Sequence, residues 1–255
     1  MSLRGRAAAA VVAALALLPA AGCGSSSPAG DGATAPARAT VLAAASLTEA
    51  FRSIEPGAAF SFGGSDQLAF QIEQGAPADV FASASPKYAD ALHAKGLVDA
   101  PRVFATNRVV VIVPRANPAG IRSIRDLARP GVKLVVGDPS VPIGAYTRTA
   151  LAGLGLDAAL RNVVSQEADV KAVVAKVALG EADAGLVYRT DVRPAAGRVT
   201  SLPVPAAAQP VVRYEIAVVR SAPHRAAAEA FVRRVLGPAG QRALRRSGFG
   251  EADAR

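Results

Sequence analysis

The sequence is poor in the residues that build disulfide frameworks, metal sites and base-stacking surfaces. Its 255 residues include one cysteine, two histidines and no tryptophan, and aromatic residues make up only 5%. A single cysteine excludes an internal disulfide and any zinc site built from several thiolates. His93 and His224 lie far apart, without paired cysteines or carboxylates at metal-ligand spacing. We therefore expect no site for a bare metal cation and no cofactor.

The net charge is strongly positive, but the basic residues are not clustered. Lys and Arg number 29 against 20 Asp and Glu, which gives a formal charge of +9. Such a charge suits nucleic acid, a membrane surface or an anionic solute. The lack of a dense basic run and the shortage of aromatic residues argue against nucleic acid. Arg233-Arg234 and Arg245-Arg246 fall in a C-terminal helical pattern, which is typical of a solvated helix face.

Residues 1–22 are typical of a secretory signal peptide. A positively charged start precedes the apolar run Ala7–Leu18, which is too short to span a bilayer, and small residues follow. The segment Ala20-Ala21-Gly22-Cys23 resembles a bacterial lipobox, in which the cysteine is lipidated and begins the mature chain. The alternative is an ordinary signal peptide with a chance cysteine. With Cys23 lipidated, the protein is expected on the outer face of the cytoplasmic membrane or in the periplasm.

A linker and a large apolar body follow the cysteine. In the segment 23–37, the residues after Cys23 are Gly, Ser, Pro and Ala apart from Asp31 and Thr34, so they cannot bury apolar surface and are predicted to form a flexible linker. The body is long enough for two lobes. Prolines in the middle of the body place the lobe crossings near residues 105–115 and 204–214. We predict that lobe 1 comprises 38–108 and 214–255, and lobe 2 comprises 109–213.

Short apolar runs alternate with helical patterns along the body. This alternation predicts an α/β fold with βαβ units, parallel sheets and right-handed crossovers. Runs such as Val80–Ser83 and Ala184–Tyr188 are continuously apolar, as expected when helices cover both faces of a sheet. The last helical pattern extends from Ala226 to Ser247.

Several strand-to-helix junctions carry glycine, serine or proline. Ser46 with Glu49 three residues later predicts a capping box, Gly63–Asp66 opens a helix, Pro142 precedes another, and Val170 lies at the start of a fourth. Each helix N-terminus presents unpaired N–H groups and about half a positive charge. Three or four of them meeting in one cleft would suit a tetrahedral dianion bound by backbone and hydroxyl donors. The alternative is that each serine is only a helix cap.

Motifs at these junctions carry a more specific signal. They read AAASLT at 43–48, GSxxLAxQIExGAPADVF at 64–81, VGDPxxPxGxY at 136–146, Asp169-Val170, and GLVY at 185–188. Together they resemble the molybdate-binding proteins of molybdate ABC transporters, and the similarity runs from about residue 40 to 250. The resemblance implies a type II periplasmic binding protein, in which two doubly wound α/β lobes are joined by two crossing strands.

The resemblance also implies a ligand and a set of ligand-binding residues. The ligand would be molybdate or tungstate, so that molybdenum is bound only as its oxyanion. Hydroxyl and main-chain donors would come from Ser46 and Ser65, main-chain N–H groups from Ile143 and Val170, and the phenol from Tyr188. Ile143 stands where the family commonly has a small alanine, and its bulk could reduce the cavity.

The implied partners are a membrane permease and its ATPase, served by a non-enzymatic, monomeric binding protein. Three alternatives remain from the residues. The same fold could bind another oxyanion such as sulfate, or a different solute such as an organic acid or iron, although these usually need an Arg clamp or several Tyr or His ligands. Ser46 could be the nucleophile of a lipid-anchored hydrolase, but it lacks a Gly-x-Ser-x-Gly motif and a histidine base in a recognisable position.

Overall fold

The computed structural model describes residues 38–252, and the statements below concern that range. Its strands are β1 (Thr40–Ala44), β2 (Ala59–Gly63), β3 (Val80–Ser83), β4 (Arg102–Asn107), β5 (Val109–Pro114), β6 (Leu134–Gly137), β7 (Val163–Glu167), β8 (Ala184–Tyr188), β9 (Val199–Pro203) and β10 (Val212–Val218). They form two five-stranded sheets, with orders β2-β1-β3-β10-β4 and β7-β6-β8-β5-β9.

Helices cover both sheets. They are α1 (Thr48–Ile54), α2 (Ser65–Glu73), α3 (Pro86–Ala94), α4 (Pro142–Ala152), α5 (Val170–Ala178), α6 (Arg189–Val192), α7 (Arg225–Leu236) and α8 (Pro238–Arg246). Every residue of β3 and of β8 is buried, as their continuous apolar sequences predicted. The first sheet packs on a cluster of aromatic rings in which Phe51 contacts Phe104 and Phe231.

Both sheets are mixed, so the prediction of parallel sheets is only partly right. Strand β1 pairs in parallel with β2 and β3, whereas β10 runs antiparallel to β3 and β4. Strand β5 likewise runs antiparallel to β8 and β9. The exceptions are the strands next to the two passages between sheets: β4 leads into β5 through Arg108 alone, and β10 returns after 204–211. Parallel neighbours in a sheet are joined by a crossover connection, usually a helix. A strand that arrives from the other sheet has no such connection to its neighbours, so it can run antiparallel to them.

The predicted single helix from Ala226 to Ser247 is wrong, because α7 and α8 are separate helices. They meet at Gly237 and Pro238, where proline lacks the N–H that a continuing helix needs and its ring clashes with the preceding turn. The predicted signal peptide, the linker and the lipidation of Cys23 lie outside the described residues. Between residues 38 and 252, no helix is both long and apolar enough to cross a bilayer.

Candidate functional site

One small cavity lies between the two sheets, at the carboxyl ends of their strands. All five residues that the family resemblance assigned to ligand binding line it: Ser46, Ser65, Ile143, Val170 and Tyr188. The cavity encloses about 10 Å³, which is roughly the space that one water molecule needs. A tetrahedral oxyanion would therefore enter only if the two sides separate slightly. The structure brings the five residues together, and their role in ligand binding stays a prediction.

Each of these residues lies at the end of a strand or beyond it. Ser46 lies in a 3₁₀ turn directly after β1, and Ser65 is the first residue of α2, just beyond β2. From the second sheet, Ile143 is the second residue of α4, Val170 is the first of α5, and Tyr188 ends β8. Ligands of open α/β sheets bind outside the carboxyl ends of strands, so this is the expected edge for a site.

Three helices have their N-termini at the cavity. The N–H groups of Ser65, Ile143 and Val170 belong to first turns and have no intrahelical acceptor. In α5 the Asp169 carboxylate accepts the N–H of Ala172 at 3.0 Å, which caps the helix two residues beyond Val170. Each N-terminus contributes about half a positive charge, so the cavity is electropositive without a cationic side chain.

The predicted capping box at Ser46 and Glu49 is wrong. A 3₁₀ turn comes before α1, so Ser46 lies inside the turn and makes no side-chain cap. Its Oγ instead lies 2.8 Å from the hydroxyl of Tyr214, a residue of β10 that the motifs did not indicate. Glu49 binds Lys171 of α5 at 3.0 Å rather than reaching back to its own helix.

Ser65 is held with its proton free. Its Oγ accepts the main-chain N–H of Ala84 at 3.1 Å, and Ala84 itself lines the cavity. Because a main-chain N–H can only donate, the Ser65 oxygen is the acceptor in this bond. The Ser65 hydroxyl proton therefore remains available to a ligand in the cavity.

Tyr188 presents a buried hydroxyl. The residue is 2% exposed, and its hydroxyl has no hydrogen-bond partner within residues 38–252. Burial raises the pKa of the Tyr188 phenol well above its usual range, and the nearby Tyr214, Tyr146 and Asp191 act in the same direction. The phenol is therefore neutral and protonated at physiological pH. A buried donor without an acceptor costs free energy, which an anionic oxygen in the cavity would recover.

Charged side chains are kept at the edge of the site. Of the described residues that line the cavity, none is Lys or Arg, and Asp169 is engaged in its helix cap. Behind Tyr188, burial raises the pKa of the Asp191 carboxyl to about 7, against the lowering effect of Lys171, whose Nζ lies 3.7 Å away. The main-chain N–H of Tyr188 donates to Asp191 at 3.3 Å.

The two sides of the cavity touch each other around its rim. The hydroxyl of Ser140, beside α4, lies 2.8 Å from the carboxylates of both Asp66 in α2 and Asp138, and the Ser140 carbonyl accepts the hydroxyl of Tyr88 from α3. On another side, Lys171 binds Glu49. These bonds join helices of the first sheet to elements of the second, so the described conformation is closed.

Comparisons with known proteins agree with this architecture. A family described as "Bacterial extracellular solute-binding protein" matches residues 33–250. The chain is 45% identical over 240 residues to the "Molybdate-binding protein ModA" of Mycobacterium tuberculosis, covering 89% of this chain and 91% of that relative.

Two solved structures share the fold at lower identity. The periplasmic molybdate-binding protein of Azotobacter vinelandii aligns with a TM-score of 0.73 at 23% identity, over 83% of this chain and 98% of that one. The sulfate-binding protein SubI of Mycobacterium tuberculosis gives 0.71 at 19%, over 85% and 87%. The predicted type II periplasmic binding protein fold is thus confirmed, and this fold occurs in proteins named for different oxyanions.

The relatives also confirm the resemblance that the motifs indicated. The matched family and the close relative each cover most of the sequence. The chain therefore belongs to the bacterial extracellular solute-binding proteins, in the family of the molybdate-binding protein ModA.

Proposed function

We propose that this protein captures molybdate, and also tungstate, outside the cytoplasmic membrane and delivers it to an ABC permease with its ATPase. The proposal rests mainly on the lining of the cavity, which consists of hydroxyl and main-chain donors from both sheets. Ser65 and Tyr188 each hold a proton that no described residue accepts. A fully ionised oxyanion has only acceptors, so it would match such a lining. The name of the 45% identical relative supports molybdate as that anion.

The ligand would hold the closed form by contacting both sides. Ser46 and Ser65 belong to the first side, and Ile143, Val170 and Tyr188 to the second. An anion that touches both sides binds the closed form better than the open one, and this differential affinity shifts the equilibrium. We propose that residues 38–108 with 214–255, and residues 109–213, move as the two lobes.

Selectivity would follow from the cavity dimensions and the fixed donors. Sulfate has the charge and shape of molybdate but is smaller, so its oxygens would leave some donors unpaired. Molybdate and tungstate are nearly the same size, and no lining residue distinguishes them.

The cellular setting is part of the proposal. Cys23 would carry the lipid anchor, and the linker of residues 23–37 would let a monomeric body reach the permease. Several acyl chains make such attachment stable, whereas one alone is marginal. Labelling with a radioactive fatty acid, in wild type and in Cys23→Ala, tests the anchor separately from ligand binding.

A hydrolase is the competing function, and the contacts of Ser46 argue against it. Its Oγ lies beside the hydroxyl of Tyr214. His93 contacts the carbonyl of Val98 and His224 contacts Asp79, so both histidines are engaged elsewhere. Esterase activity that disappears in Ser46→Ala would support the hydrolase instead.

The proposed function is tested by thermal unfolding with each anion. Saturation at about a thousand times the dissociation constant should stabilise the protein by about 4 kcal/mol. We expect this from molybdate and tungstate, and a smaller effect from sulfate and phosphate at equal concentration. A double variant, Ser65→Ala with Tyr188→Phe, serves as the control that should lose most of the effect. Stabilisation by sulfate or phosphate but not by molybdate would overturn the assignment.

A further inference from the structure

We propose that Asn107 and Tyr214 are positioning residues that point the Ser46 proton into the cavity, so that the site selects oxyanions carrying no proton. This inference rests on the proposed oxyanion-binding function. It concerns a hydrogen-bond relay formed by Asn107, Tyr214 and Ser46. Neither Asn107 nor Tyr214 lines the cavity itself.

The relay begins with an amide whose orientation is fixed. The Oδ1 of Asn107 accepts the main-chain N–H of Arg108 at 2.9 Å. Because the Arg108 N–H can only donate, the amide oxygen of Asn107 must face Arg108, and the Nδ2 group must face away from it. Nδ2 then donates to the Thr190 hydroxyl at 3.0 Å and to the Tyr214 hydroxyl at 3.3 Å.

The direction of the next bond follows from counting protons. Because Asn107 donates to Tyr214, the phenol oxygen is already an acceptor and its proton must find an acceptor of its own. The only other group that the structure places within hydrogen-bond distance of it, in residues 38–252, is the Ser46 Oγ at 2.8 Å. If Ser46 donated instead, the Tyr214 proton would be buried without a partner, because Tyr214 is fully buried. Tyr214 therefore donates to Ser46.

The position of the relay gives it a rigid base. Asn107 ends β4 where the chain passes into the second sheet, and Tyr214 lies on β10 where it has returned. Thr190 belongs to α6, so the Asn107 amide holds elements of both sheets at their crossing. The ring of Tyr214 is packed edge-on against Phe104 and Phe249, which fixes its hydroxyl.

The relay determines whether Ser46 donates or accepts in the cavity. Ser46 accepts a hydrogen bond from Tyr214, as Ser65 accepts one from the Ala84 N–H, so both serines turn their own hydroxyl protons to the ligand. Molybdate and sulfate offer acceptors alone. Hydrogen phosphate carries a proton of its own. Where this proton faces a donor of the cavity, the hydrogen bond to that donor is lost and the two protons repel each other. The relay thus adds a selection by protonation to the selection by size.

The test uses two anions of nearly equal size and charge that differ in a proton. At pH 8, sulfate and hydrogen phosphate would each be titrated against bound molybdate, and their displacement constants compared in wild type and Tyr214→Phe. The variant keeps the ring but frees an acceptor on Ser46. We expect the preference for sulfate over hydrogen phosphate to fall at least about tenfold.

Two further variants make the outcome decisive. Asn107→Leu removes the donor that fixes the direction of the hydrogen bond from Tyr214 to Ser46. It should therefore reduce the preference for sulfate over hydrogen phosphate while Tyr214 stays in place. Tyr146→Phe removes the hydroxyl of a half-buried tyrosine outside the relay and should change the binding of both anions alike. An unchanged ratio in Tyr214→Phe, with a folded protein that binds molybdate, would refute the relay. A wild-type protein that binds no molybdate would refute the proposed function instead.

Discussion

Gly64 and Ala168 approach each other across the rim of the cavity, and only glycine fits the first position. A Cβ built on Gly64 would lie 2.5 Å from the Ala168 carbonyl oxygen, which comes from the second sheet. Gly64→Ala should therefore prevent full closure. Overpacking typically costs 1–3 kcal/mol, so molybdate affinity should fall by about 10- to 100-fold, measured by isothermal titration calorimetry.

The matched control is Gly57→Ala, at a turn away from the cavity. There a Cβ meets only the Glu55 carboxylate, at an ordinary 3.6 Å. Small-angle scattering of Gly64→Ala with molybdate should show a more open protein than wild type, and Gly57→Ala should match wild type. Equal affinities for the two variants would contradict the role of this contact in closure.

Tyr188→Phe should separate ligand binding from folding. The hydroxyl that it removes has no partner among the described residues, so the unliganded protein should melt at the wild-type temperature or above it. A hydrogen bond to a charged group contributes about 1.5–3 kcal/mol, so molybdate affinity should fall by roughly 10- to 100-fold. Melting with and without molybdate measures both effects. A destabilised unliganded variant with normal affinity would show that the hydroxyl serves the fold.

The sequence predicted the members of the site better than their surroundings. Ser46 and Tyr188 lie in motifs that a resemblance can transfer, and both line the cavity. Tyr214 was missed because its contact with Ser46 joins positions 168 residues apart and depends on how β10 enters the sheet. The capping box failed for a local reason: spacing alone cannot distinguish a serine in a 3₁₀ turn from one that caps an α-helix.

The sheet architecture shows the same limit. Helix starts such as Pro142 and Val170 follow from local chemistry, and both are where the sequence places them. The edge strand β7 (Val163–Glu167) has no continuous apolar run, so the pattern gave no strand there. Strand direction depends on where the chain changes sheets, which is a property of the whole fold.

Asp191 should make stability depend on pH. Burial raises the pKa of its carboxyl from 3.8 to about 7, so between those values the folded protein keeps a proton that the unfolded chain has released. Stability should therefore fall as the pH rises from about 4 to 7, and above pH 7 the loss from this group amounts to roughly 4 kcal/mol. Asp191→Asn keeps an acceptor for the Tyr188 N–H and should remove most of this slope.

Urea unfolding of both proteins at pH 5 and pH 8 measures the effect. We expect similar stabilities at pH 5 and a more stable Asp191→Asn at pH 8. Burial also raises the pKa of Glu215 to about 7, so Glu215→Gln is the comparison that should reduce the slope independently. The same loss of stability with pH in Asp191→Asn as in wild type would show that the carboxyl does not titrate in this range.

The ion pair between Glu49 and Lys171 should stabilise closure only slightly. Its nitrogen and oxygen lie 3.0 Å apart, but both side chains are partly exposed, and such pairs contribute about 0–1 kcal/mol. Because it joins helices from opposite sides, Glu49→Gln should speed molybdate release by at most about fivefold in low salt. The difference from wild type should vanish near 1 M salt, where the screening length is about 3 Å.

Stopped-flow measurements of molybdate release across salt concentrations test this prediction. The control is Glu73→Gln, whose partner Lys95 lies on the same side of the cavity, and it should leave the release rate unchanged. A large, salt-independent acceleration in Glu49→Gln would mean that Glu49 holds the ligand-bearing turn itself rather than the opposite helix.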